Sequence, residues 1–117
     1  MRAIIGVVAV VAVVALLGSA CGSSTSPANS CGSSGASANV NTTSSNSFSP
    51  NTATITHGQT VCWQNSSSVA HTVTDDGGAF DTNLPVGQIL LHTYATAGTY
   101  TYHCKIHAGM TGSITVN

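Results

Sequence analysis

The chain has 117 residues, 42% of them hydrophobic, with only two basic and three acidic side chains and a formal net charge of −1. That is room for one domain. No basic stripe is present to meet a nucleic acid. The three aspartates cluster at Asp75, Asp76 and Asp81, and no glutamate accompanies them, which argues against a two-carboxylate acid–base enzyme.

The N-terminal stretch reads as a targeting segment. Arg2 supplies a minimal positive start, Ile4 to Leu17 is apolar apart from Gly6, and Gly18, Ser19 and Ala20 are small. The apolar run is shorter than the ~20 residues that span a bilayer and fits a signal-peptide core over residues 1–20. An uncleaved N-terminal anchor is the rival reading. Cys21 follows LLGSA as a lipidated cysteine follows a bacterial lipobox, although Gly18 stands where an aliphatic residue is usual and Leu17 lies one step further out. Lipid on Cys21 would attach the chain to a membrane; ordinary cleavage after Ala20 would leave it soluble. The expected location is periplasmic or otherwise extracytoplasmic. Without Arg2, only Lys105 offsets the three aspartates.

Residues 21–46 are dominated by Ser, Gly, Asn, Ala and Thr. Such a segment cannot bury enough apolar surface to offset its ordering entropy, so a flexible tether is expected there. The texture changes near Phe48, and the folded domain is expected over 47–117. Short runs rich in Thr, Val, Ile and Tyr occur at 52–57, 60–65, 71–74, 88–94, 98–103 and 112–116, separated by turn signals such as His57-Gly58-Gln59, Asp75-Asp76-Gly77-Gly78 and Ala97-Gly98. No segment keeps a helical period. The expectation is an all-β domain, a Greek-key antiparallel β-sandwich. Trp63 and Phe80 are expected in its core. Cys62, between Val61 and Trp63, reads most simply as a buried free thiol, with a bond to Cys31 as the alternative in an oxidising compartment. A head of this size benefits from a metal or a disulfide.

The segment Tyr102-His103-Cys104-Lys105-Ile106-His107-Ala108-Gly109-Met110 offers a thiolate, an imidazole and a thioether at three-residue intervals. One loop between two strands can wrap Cys104, His107 and Met110 around a single ion. His71, which opens a strand after the polar loop Asn65–Ser68, is the natural fourth donor. Two imidazoles, a thiolate and a weak axial thioether suit copper. Structural zinc rarely uses Met, and calcium or magnesium would require oxygen donors. His57, His92 and His103 match no ligand spacing and read as ordinary strand or turn residues. On β-strand alternation, the side chain of His103 should face away from that of Cys104. A nucleophilic Cys104–His107 pair lacks an orienting third group and leaves Met110 without a role.

The loop resembles the copper-binding loop of the cupredoxins, the blue copper proteins, and its Cys-x-x-His-x-x-Met spacing is more similar to amicyanin than to plastocyanin. The run FSPNTATITHGQTVCWQNSSSVAHTVT extends the resemblance upstream, so that it covers about Phe48 to Asn117. It implies a cupredoxin-like sandwich with one type 1 copper, Cys104 as the thiolate ligand, His71 and His107 as equatorial imidazoles and Met110 as the axial thioether. It implies a one-electron carrier rather than an enzyme. It further implies a redox partner docking near His107, on a patch formed by Val69, Ala70, Leu84, Pro85, Ala108 and Gly109, and a monomeric head. Two departures are Thr72, where the family often has Asn after the first ligand His, and Ile106, where it often has Pro. The same ligands would also serve a copper storage or delivery module, or an accessory domain of a larger redox complex.

Overall fold

The computed structural model describes residues 30–117. The expected signal peptide and Cys21 lie outside the described residues. Among the described residues, nine strands form two sheets: β1 (Ala38–Thr42), β2 (Phe48–Ser49), β3 (Thr52–Ile55), β4 (Thr60–Asn65), β5 (His71–Asp75), β6 (Asp81–Leu84), β7 (Ile89–Thr93), β8 (Gly98–His103) and β9 (Thr111–Val116). One sheet runs β2-β1-β4-β7 and the other β3-β9-β8-β5-β6. A 3₁₀ turn, Cys31–Ser33, precedes β1.

The sandwich matches the expectation. Its pairing is mixed: β1 runs parallel to β4 and β3 parallel to β9, while the other neighbouring pairs are antiparallel. Parallel pairing arises because the chain crosses between sheets after β2 and again after β3, which brings β1 and β4 up the same sheet in one direction.

Alternation sets the core. In β3, Ala53 and Ile55 face inward while Thr52 and Thr54 face out. Strand β9 buries Ile114 and Val116, and β1 buries Val40 and Thr42. Trp63 is fully buried, with the rings of Tyr102 and Phe80 packed 5.4 and 5.9 Å from it. The Tyr102 ring lies directly over Gly112, where any added Cβ would run into it. Turn glycines fall where the sequence signals placed them: Gly58 and Gly78 both have positive φ, of 86° and 82°, a conformation that L side chains resist.

Three findings correct the sequence reading. Residues 31–42, expected in the tether, belong to the folded head: β1 pairs with β4 from Ala38↔Val61 to Thr42↔Asn65. Its composition hid it, since Val40 is the only large apolar residue among asparagines and small residues. Next, Cys62 is not a free thiol but is bonded to Cys31. This also explains why β4 buries three successive residues, Val61, Cys62 and Trp63. Cys62 points to the outer face of its sheet, and the Cys31 turn covers it there. Finally, Leu84, expected on the surface patch, is 1% exposed and part of the core.

Candidate metal centre

Three elements meet at one end of the sandwich. Asn65 ends β4, His71 opens β5 opposite Leu84 of β6, and the loop 104–110 joins β8 to β9. The loop closes on itself: the Cys104 N–H donates to the Met110 carbonyl at 2.9 Å, and the Met110 N–H donates to the His107 carbonyl at 3.4 Å. A two-strand hairpin with its ends tied this way has few ways to move its side chains apart.

The structure brings His71, Cys104 and His107 together. The two Nδ1 atoms lie 3.1 Å apart, and the Cys104 Sγ is 3.8 Å from that of His71 and 3.7 Å from that of His107. His71 and Cys104 are buried and His107 is half-buried. Burial, and after it the neighbouring His107 ring, hold the pKa of His71 below its ordinary value, so its imidazole is neutral and offers a lone pair. Met110, the fourth expected donor, is 2% exposed at the end of the same loop.

This donor set fits a metal. Bonds of about 2.0–2.3 Å from one ion to nitrogen or sulfur are long enough to span every edge of the triangle. One thiolate, two imidazoles and a nearby thioether form the set that suits copper. The sulfur is further oriented from behind, since the Thr72 N–H donates to it at 3.3 Å. The Thr72 hydroxyl accepts the Lys105 N–H at 2.8 Å. Thr72, one of the two departures noted in the sequence, therefore ties β5 to the first residue after Cys104.

The remaining histidines lie elsewhere. His103 is turned away from Cys104, with its Nδ1 against the Asp76 carboxylate. His92 packs between Phe80 and Tyr94, at ring distances of 4.3 and 4.7 Å. His57 is exposed in the turn after β3. Sequence reasoning missed Ser67, whose hydroxyl sits 2.8 Å from the His71 Nε2; a serine in a serine-rich loop carries no signal of its own. Among the described residues the large apolar side chains left exposed are Val69, Val86, Leu91 and Ile106, and Ile106 adjoins the half-buried His107 in the loop. A cleft of about 570 Å³, open to solvent, borders the loop at Gly109 and Thr111 and contains none of the three donor residues.

A model of the cupredoxin-like domain matches residues 8–116. The chain belongs to the cupredoxin-like family. This cupredoxin is 32% identical over 84 residues to chloroplastic plastocyanin of Oryza sativa subsp. indica, a match covering 60% of this chain and 54% of the relative. The chain thus spans about half the length of that plastocyanin. Among solved structures, it is similar to a purple cupredoxin from Nitrosopumilus maritimus (TM-score 0.64, 28% identity, 68% of this chain and 99% of the other). It is also similar to the reduced state of an amicyanin mutant (TM-score 0.61, 27% identity, 71% and 83%). A copper-containing nitrite reductase from Thermus scotoductus matches at TM-score 0.62 and 28% identity, over 68% of this chain and 22% of the enzyme. The cupredoxin domain thus occurs in small proteins and as part of an enzyme.

Proposed function

We propose that this cupredoxin is a one-electron carrier that holds a single copper ion through His71, Cys104 and His107, with Met110 as the weaker axial donor, at the outer face of a bacterial membrane. The observation that carries the reading is the triangle of one sulfur and two nitrogens with edges of 3.1–3.8 Å, formed by two buried side chains and one half-buried one from the start of β5 and the 104–110 loop. Copper bound there would supply a reversible one-electron couple. The protein keeps the donors in place. His71 is held in register with Leu84, the 104–110 loop is closed by its own backbone, and Thr72 fixes both the sulfur and Lys105. Donors that cannot move apart change little between two oxidation states, which favours fast electron transfer over turnover of a substrate. The half-buried His107, with the exposed Ile106 beside it in the loop, is the contact a redox partner would use. The apolar segment Ile4–Leu17 and the lipobox-like LLGSAC support export and attachment through Cys21.

The test is direct. Cu(II) added to the purified protein should give an intense visible thiolate-to-copper band and a reversible redox couple with an unchanged copper load. Cys104→Ser should abolish the band. Stoichiometric zinc uptake with no colour from copper would overturn the reading. Loss of copper to an acceptor on reduction would make the protein a delivery module instead.

A further inference from the structure

We infer that Ser67, held by Asn65, is the positioning residue that fixes His71 in the one tautomer able to present Nδ1 to a metal. The inference rests on His71 being a ligand, as proposed above, and adds what sets its ring.

The hydrogen-bond directions follow from the partners. The Asn65 side chain faces two carbonyls on one side, Val69 O at 2.8 Å and Leu84 O at 2.9 Å. Carbonyls only accept, so the amide NH₂ must point there, and its two hydrogens are both used. Its Oδ1 then faces the other way and accepts from the Ser67 N–H at 3.0 Å and the Thr42 hydroxyl at 2.8 Å. The Ser67 hydroxyl lies 2.7 Å from that same Oδ1 and 3.0 Å from Val69 O.

Ser67 has a single hydroxyl hydrogen. Two acceptors, Asn65 Oδ1 and Val69 O, crowd its oxygen, and the His71 Nε2 lies 2.8 Å away. Were the hydrogen given to His71, the Ser67 oxygen would face Asn65 Oδ1 across 2.7 Å with no proton between them, in a buried site where such a contact is unfavourable. The hydrogen therefore goes to those two acceptors. The Ser67 oxygen presents a lone pair to His71, and the His71 Nε2 carries the proton. Nδ1 is left bare, and it is Nδ1 that faces the Cys104 sulfur and His107.

Thr42, Asn65, Ser67 and His71 are all buried, so water does not compete for these bonds. The network spans β1, β4, the loop after it and the start of β5. The ring is oriented before any ion arrives, and metal entry needs no tautomer change at this ligand.

Nitrogen-15 NMR of the metal-free protein, above about pH 7.5 where an ordinary histidine is neutral, reads the tautomer without copper. Wild type should show His71 protonated at Nε2 alone. Ser67→Ala should show a mixture of tautomers, and Ser67→Thr, which keeps the hydroxyl, should restore the single form. Cu(II) affinity should fall about 10–100-fold in Ser67→Ala and recover in Ser67→Thr, with thermal melts checking that both variants fold. A wild-type His71 protonated at Nδ1, or a Ser67→Ala protein with unchanged tautomer and affinity, overturns the inference. Failure of wild type to bind copper would sink the carrier reading while leaving the tautomer measurement interpretable.

Discussion

At the scale of single residues, burial decides protonation. His92 is packed against Phe80 and Tyr94, and burial lowers its pKa from 6.5, against a smaller opposing pull from Asp75. Well above that value both folded and unfolded chains hold it neutral, and it contributes nothing. As pH falls below 6.5, the unfolded chain takes up a proton that the folded one resists, so stability drops until the folded pKa is passed. In the metal-free protein His71 acts in the same direction. We expect the melting temperature of copper-free wild type to fall between about pH 7.5 and about pH 5.0, and to fall less in His92→Phe. Equal losses in the two proteins would exclude this origin. Asp76 and Asp81 have lowered pKa values, through bonds led by Thr101 and Lys105 respectively, and their contributions are lost only at more acid pH. The candidate donors were legible in the sequence because sulfur and imidazole at fixed spacing are rare and chemically specific. Ser67 and Asn65 were not legible as a unit, because hydrogen-bond direction exists only once three elements converge.

At the scale of elements, legibility followed hydrophobic content. Runs such as TVCWQN and GTYTYH announce strands, and β4 and β8 begin and end where the sequence placed them. Strands β1 (ANVNT), β2 (two residues) and β6 (DTNL) carry too few apolar positions to be read alone; they exist because their neighbours offer an edge. Cysteine pairing was equally hidden, since connectivity is a property of the fold and not of spacing. The Cys31–Cys62 bond spans 31 residues and pins the approach to β1 against β4, reinforced by the Cys31 N–H donating to Gln64 Oε1 at 3.0 Å. Closing a loop of that length stabilises a fold by roughly 3–4 kcal/mol. Replacing Cys31 and Cys62 together by serine should therefore lower the melting temperature by roughly 10–25 °C. An unchanged melt would show that β1 holds without the link.

At the scale of the whole molecule, the charges that neighbour the donors are paired. Lys105 pairs with Asp81 and His103 with Asp76, and the exposed Ile106 lies between Lys105 and His107 in the loop. With those charges paired, two copies can approach each other at His107, so the electron self-exchange rate of the copper-loaded protein reports on this surface without a partner. Ile106→Glu puts a charge on each face of that encounter and should slow self-exchange about tenfold or more, with the visible spectrum unchanged. A mutant that exchanges as fast as wild type would place the contact elsewhere.

The link between Cys31 and Cys62 also governs how the molecule matures. Among the described residues it leaves Cys104 as the only free thiol. Among the described residues, a copper ion that arrives before the link closes meets three competing thiols; one that arrives afterwards meets a single thiol, already buried beside two imidazoles. Chain made in a reducing cytoplasm should accordingly load metal heterogeneously, while chain oxidised first should load one ion per molecule. Oxidation ahead of metallation would then act as a selection step, and the order of the two events would be part of how the site is assembled.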